Sequence, residues 1–341
     1  MKDKGFVVSV GPHIQSGVSL EGIFTTFSMA ILPALVVAVY FLKMQAIKVI
    51  VVSVVAAVVI DAFLQWLFKK EINLKNPYAI FTGLLFAAIM PVTMPWWGIC
   101  AGLFMGLLVG LYVYGGVGSN PFNPVLVGWA ILKLSYPGYM DMSSSILGVL
   151  KLEGMGAIIE DYSYLSESYG IEEFNTLGAK FKLLLKFLLQ WKTGAWSDEL
   201  VLYTGSICAL ALIIGGLFLI WRRYASWHAP VGFLLTVFCF SVIFYKGDRS
   251  YLFPYLLIQL LAGSTLITAF FLVTDPVTTP VTNAGMFVFG VLAALVMMLG
   301  RLWGKWIDPG FFGVLVANAF TPLIDRIVKP KPFGRFTTVA K

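Results

Sequence analysis

Apolar residues in this chain neither alternate with polar ones nor recur as a one-sided helical stripe. They come in long blocks, each about the ~20 residues that span a bilayer core. Ten blocks are distinguishable, near residues 21–42, 47–67, 78–92, 96–114, 122–136, 200–220, 229–245, 251–273, 284–301 and 310–325. The pattern predicts an all-α integral membrane protein of about ten transmembrane helices. The third and fifth blocks are short, so they are expected to be tilted, half-inserted or shielded by neighbours.

The blocks divide the chain. Residues 1–20 form an N-terminal segment, 21–136 a first membrane half of five spans, and 137–199 a long external segment. Residues 200–325 form a second half of five spans, and 326–341 a basic tail. Lys and Arg in the short loops set the orientation. One side carries Lys2, Lys4, Lys69, Lys70, Lys75, Arg222, Arg223, Arg326, Lys329, Lys331, Arg335 and Lys341. The other carries Lys43, Lys48, Lys246, Arg249, Arg301 and Lys305. The excess places both termini in the cytoplasm, with the chain in the inner (cytoplasmic) membrane of a bacterium or archaeon. The first 20 residues are mixed in character, and no Ala-x-Ala site follows the first apolar run, so that run is expected to remain as a span.

Composition agrees: 59% of residues are hydrophobic, 12% are charged and mean hydropathy is +0.87. The net charge of +7 does not point to nucleic acid, because the positive residues sit at the ends of apolar blocks. Cys100, Cys208 and Cys239 all lie inside blocks, as small buried hydrophobes would. His13 and His228 are too far apart in sequence to suggest a metal site. In the external segment, Glu160, Asp161, Glu167, Glu172 and Glu173 make an acidic first part. Phe181 to Trp191 then predicts an amphipathic helix, lying on the membrane surface or on a partner protein.

The chain repeats itself. Pro91-Val92-Thr93-Met94-Pro95 recurs as Pro276-Val277-Thr278-Thr279-Pro280, at an offset of 185 residues. Phe122 to Ala130 recurs as Phe311 to Ala319, at an offset of 189. Each half holds five spans, an odd number, so the second half starts from the opposite side of the membrane. That predicts two inverted five-helix repeats, with the functional site at their interface and at broken helices. Each Pro-x-x-x-Pro is expected to interrupt a helix and free carbonyls for an ion, water or ligand.

Two motifs carry candidate chemistry. Gly115 to Pro124 combines three glycines with Asn120, Phe122 and Asn123. Amides of that kind read the edge of a flat heterocycle, and a phenyl ring packs on its face. The same residues would also serve as a tight turn with an Asn helix cap. Thr274 to Thr282 sets Asp275 among four threonines, including Thr278, at a membrane edge. Those oxygens suit Na⁺ or a proton relay, or equally a capped helix end. Asp61 interrupts an apolar block and is expected to face the bundle interior. Asp325 closes the last span beside Arg326.

These motifs give the chain a family resemblance. Phe81 to Leu85, Met90 to Trp97, Gly115 to Val127, Ala269 to Thr278 and Asn318 to Arg326 resemble the D subunit of the Rnf complex. That complex is the ion-translocating ferredoxin:NAD⁺ oxidoreductase. The chain is also similar, more distantly, to the B subunit of the sodium-pumping NADH:quinone oxidoreductase. The resemblance implies electron transfer through flavins coupled to Na⁺ or H⁺ movement, with Asn120 and Asn123 beside a noncovalent riboflavin. The implied partners are other membrane subunits, an extracytoplasmic flavoprotein subunit, and cytoplasmic iron–sulfur and NADH-handling subunits.

The external segment departs from the family. Members carry Ser/Thr-Gly-Ala-Thr, whose last threonine holds FMN through a phosphoester. Here the stretch is Thr176-Leu177-Gly178-Ala179-Lys180. Lys180 replaces the acceptor hydroxyl with an amine, and Thr176 is out of register. Covalent FMN is therefore not expected, though Lys180 offers a charge to a flavin phosphate. The function expected is that of a membrane component of an Rnf-type complex, with Asp61, Asp275, Thr278 and Asp325 lining the ion path. The alternatives are a flavin-free scaffold and a secondary ion transporter on the same fold.

Overall fold

A computed structural model describes residues 19–140, 204–245, 249, 252–261, 263–303 and 309–329, together with 180–181, 184–185 and 188. Every regular element among the described residues is helical. Helix α1 (Leu20–Leu42) starts at Ser19, whose hydroxyl accepts from the Gly22 amide at 3.1 Å and so satisfies an orphan donor of the first turn. Only Lys43 separates it from α2 (Met44–Leu67). Helix α3 (Pro77–Ile89) has Asn76 as cap and Pro77 in its first turn, where a missing N–H is harmless. Helix α4 (Trp96–Leu107) runs on as a π-helical turn at Leu108–Tyr112. Then come α5 (Pro124–Ser135) and the short α6 (Pro137–Met140).

Beyond a 3₁₀ turn at Thr204–Ser206 lie α7 (Ala209–Trp221) and α8 (His228–Ile243). Helices α9 (Leu252–Leu261) and α10 (Thr265–Ile267) follow, the latter continued by a π-helical turn at Thr268–Leu272. Helices α11 (Asn283–Trp303) and α12 (Gly310–Ile327) complete the described chain.

Helices α1, α2, α11 and α12 are long and apolar enough to cross a membrane; α9 with α10 makes a fifth if their 50° bend is one broken span. Helices α3, α4, α5, α7 and α8 are apolar but shorter. Two predicted spans differ in detail. Among the described residues, the one expected at 200–220 is α-helical from Ala209, after a 3₁₀ turn whose Thr204 is tied to the broken end of α3. The one expected at 251–273 is bent in two.

Polarity is arranged for lipid rather than water. Val36, Tyr40, Met44, Val55, Val59, Trp221 and Leu235 are exposed, while Ser53, Asp61, Thr82, Asp275, Arg301 and Asn318 are buried. Helix α1 packs on α7 and α3, α2 on α3 and α4, α4 on α5, α8 on α11, and α11 on α12. Small residues allow the backbones to touch. A Cβ at Gly128 of α5 would overlap the Gly102 carbonyl of α4, and one at Gly313 of α12 the Ala293 carbonyl of α11. Helix α5 meets α12 through Trp129, whose ring lies edge-on to Phe311 and Phe312 at 4.9 Å each.

Two expectations need correction. Arg301 is not a loop charge: α11 extends two residues past it, and it is 2% exposed. It donates to the Gln259 carbonyl at 3.0 Å, the Gln259 Oε1 at 3.1 Å and the Thr265 hydroxyl at 2.9 Å, bridging the bend between α9 and α10. Cys239 lies on the exposed side of α8, whereas Cys208 is buried. The acidic stretch 160–173 and most of the predicted helix at 181–191 fall outside the described residues.

Candidate functional site

The second Pro-x-x-x-Pro motif lies between the π-helical turn at Thr268–Leu272 and α11. Thr274, Asp275 and Thr278 are all buried. The Thr274 hydroxyl donates back to the Phe270 carbonyl at 2.6 Å, closing the turn below it. The Thr278 hydroxyl donates to the Asp275 carboxylate at 2.8 Å, and the Val277 and Thr278 amides also point at it. The Thr279 hydroxyl donates to the Asp275 carbonyl at 2.9 Å. Helix α12 braces the turn. Thr321 donates to the Thr278 carbonyl at 3.2 Å, and Asp325 accepts from the Val281 amide at 3.1 Å.

The glycine–asparagine loop joins the π-helical turn at Leu108–Tyr112 to α5. Gly115, Gly116 and Gly118 take φ of 107°, 116° and 95°, a region that side chains resist. This tight path folds Asn120 and Asn123 inward, 4% and 3% exposed, with Phe122 half-buried. Asn123 caps α5, its Oδ1 accepting from the Val125 amide at 2.9 Å, and its side chain also reaches the Asp275 carboxylate. Asn120 donates to the Phe122 carbonyl at 3.0 Å. Its Oδ1 is buried and finds no partner among the described residues. The two motifs singled out in the sequence, far apart along the chain, thus meet in one buried polar site.

One buried polar residue of α12 was missed. Asn318 of α12 is fully buried, and neither its Nδ2 nor its Oδ1 has a hydrogen-bond partner among the described residues. The sequence did hold a signal for it: an amide inside an apolar block, at the repeat position of Trp129.

Asp61 belongs to a different cluster. It is 1% exposed and accepts from the Tyr112 hydroxyl at 2.6 Å, Gln65 at 2.8 Å and Asn76 at 3.0 Å. Its interior position is as expected. The first Pro-x-x-x-Pro motif also differs from expectation. The freed Met90 carbonyl accepts from the Thr204 amide at 3.0 Å and hydroxyl at 2.7 Å, so the chain itself supplies the partner. Lys180 stands with its amine 6.0 Å from the centre of the Phe253 ring of α9; Thr176 lies outside the described residues. Chemically, the turn and the loop offer the Asp275 carboxylate, the Thr278 hydroxyl and the amides of Asn120 and Asn123 in an apolar surround. That set can hold a cation or proton at Asp275 and hydrogen-bond a neutral ligand at the amides.

The chain as a whole also matches known proteins. A sequence model described as the NQR2, RnfD, RnfE family matches residues 7–334. The D subunit of an ion-translocating oxidoreductase complex from Mannheimia succiniciproducens is 32% identical over 350 residues, covering 96% of this chain and 98% of that protein. The D subunit of a proton-translocating ferredoxin:NAD(+) oxidoreductase complex from Clostridium ljungdahlii is 30% identical, covering 98% of each chain. Its counterpart in a Na(+)-translocating ferredoxin:NAD(+) oxidoreductase complex from Acetobacterium woodii is 30% identical, covering 98% of this chain and 97% of that one. A match over nearly the whole chain assigns it to the NQR2, RnfD, RnfE family.

Proposed function

We propose that the chain is the membrane component of an Rnf-type complex that couples electron transfer to ion translocation across the cytoplasmic membrane. The observation that carries the reading is the meeting of Asn123, three residues from buried Asn120, with Asp275 inside an apolar helical bundle. It sets a place for a neutral cofactor beside a place for a cation. The names of the relatives support the function, and they divide between proton and Na⁺ as the ion.

The architecture proposed is ten spans in two inverted repeats. Its support is the order of elements: α1 to α5 recur as α7, α8, the α9–α10 pair, α11 and α12, with a Pro-x-x-x-Pro break after the third member of each set. The noncovalent cofactor proposed is riboflavin, held by Asn120, Phe122 and Asn123. The buried, unbonded Asn120 Oδ1 fits such a ligand. Riboflavin, when bound, supplies one-electron chemistry. Covalent FMN is not proposed, since Lys180 supplies no hydroxyl. The ion path runs by Asp275, Thr278 and Asp325; Asp61, the most tightly held, stands in a separate cluster. The partners proposed are the other membrane subunits, an extracytoplasmic flavoprotein subunit, and cytoplasmic iron–sulfur and NADH-handling subunits.

The test is the flavin itself. The intact complex is purified, this chain is separated by denaturing electrophoresis, and released flavin is quantified by chromatography. The expected result is riboflavin released in proportion to this chain, and no fluorescence left on the chain. A colourless intact complex without riboflavin would remove the redox role and leave a scaffold or transporter.

A further inference from the structure

The stripe on α12 that carries Asn318 can be placed from both ends. Phe311, Val314, Asn318, Thr321 and Asp325 follow one another at spacings of three and four residues, which puts them on one helix face. At one end, Phe311 packs on Trp129 of α5 at 4.9 Å. At the other, Thr321 and Asp325 are hydrogen-bonded to the turn at Thr278–Val281. Asn123, at the start of α5, reaches Asp275 in that same turn. So α5 begins at the Thr321 end of the stripe and has reached the Phe311 end by Trp129. The two helices run antiparallel, and Asn318 faces the first turn of α5, beside Asn123.

An amide there is an unusual choice. Both its donor and its acceptor are buried without a partner among the described residues. Leaving them so in an apolar interior is unfavourable, and a leucine of similar volume would carry no such penalty. The arrangement disfavours charged ligands. A cation would bind the amide oxygen and leave the Nδ2 hydrogens unpaired, and an anion would bind the hydrogens and leave the oxygen unpaired. A neutral group that presents an acceptor next to a donor would satisfy both atoms of Asn318 at once.

We propose that Asn318 is a ligand-binding residue, pairing through both amide atoms with the imide or lactam edge of a flat, neutral heterocycle seated between α12 and the first turn of α5. The inference rests on the flavin reading for the identity of that ring, which would then present its pyrimidine end to Asn318.

The test compares intact purified complexes carrying wild-type chain, Asn318→Leu and Asn318→Asp. Riboflavin per copy of this chain, its affinity on readdition, and the carbonyl stretching bands of the bound flavin are measured. Asn318→Leu is expected to bind riboflavin at least about tenfold more weakly, the effect of losing one hydrogen bond or more. Asn318→Asp, which keeps the shape but loses the donor, is expected to shift the carbonyl bands. A wild-type complex without riboflavin overturns the flavin reading and this inference together. Full riboflavin with unchanged affinity in Asn318→Leu overturns this inference alone. If that variant fails to assemble, Asn318→Asp decides: carbonyl bands identical to wild type overturn the proposal.

Discussion

The chain breaks its helices at two related motifs, and it treats the freed polar groups differently at each. At Pro91–Pro95 the Met90 carbonyl receives two hydrogen bonds from Thr204. In the same half, buried Asp61 receives three from Tyr112, Gln65 and Asn76. Each of these groups is answered by the protein. At Pro276–Pro280, Asp275 is held by Thr278 and faces Asn123, while the amides of Asn120 and Asn318 keep atoms with no partner among the described residues. Buried polar groups in folded proteins are almost always paired. The first break is therefore a sealed joint, and the second retains capacity for a ligand. One sequence motif, duplicated, has come to serve architecture at one break and chemistry at the other.

The largest effect that would test this contrast is at Asp275. Asn has the shape of Asp without its charge, so Asp275→Asn is expected to leave assembly intact. Ion-coupled electron transfer should fall about a hundredfold. Losing a carboxylate–cation attraction in an apolar site amounts to several kcal/mol, and each ~1.4 kcal/mol is a factor of ten. The measurement is ion uptake into vesicles alongside electron transfer in the same preparation. Normal coupling would reduce Asp275 to a structural residue and erase the contrast.

Much of this was legible beforehand, for physical reasons. Apolar blocks near the bilayer length marked the helices, because a backbone in lipid must bond within itself. Asn120, Asn123 and Asp275 stood out as polar residues in motifs bounded by glycine and proline. What could not be read was which polar atoms the fold would satisfy. Thr204 lies in a stretch with no motif of its own, yet it closes the first break. Arg301 looked like a loop charge because it sits near the end of an apolar block; only the actual end of α11 shows it to be interior. Asn318 lay inside a stretch already matched to the family, but its importance depends on having no partner, and partners are a property of three dimensions.

Asp61 gives the next effect in size. Asp61→Leu strands the donors of Tyr112, Gln65 and Asn76, and an unsatisfied buried donor costs about 1–3 kcal/mol. Allowing for partial relaxation, a loss of about 3 kcal/mol is expected, seen as lower yield of assembled complex and an earlier thermal transition. Asp61→Asn should be milder in stability and should reduce coupling far less than Asp275→Asn. Equal loss of coupling in the two Asn variants would break the comparison, because the first half would then be as much a part of the ion path as the second.

The smallest effect is the most pointed. Thr204→Val is nearly isosteric and removes only the hydroxyl, leaving the Thr204 amide on the Met90 carbonyl. A carbonyl that keeps one of two bonds loses about 1 kcal/mol, which a modest fall in the thermal midpoint of the complex would register. Coupling should not change. The opposite pattern, unaltered stability with altered coupling, would mean that the hydroxyl serves a passing cation at the Met90 carbonyl rather than sealing the joint. Both breaks would then be sites, and the symmetry of the sequence would extend to function.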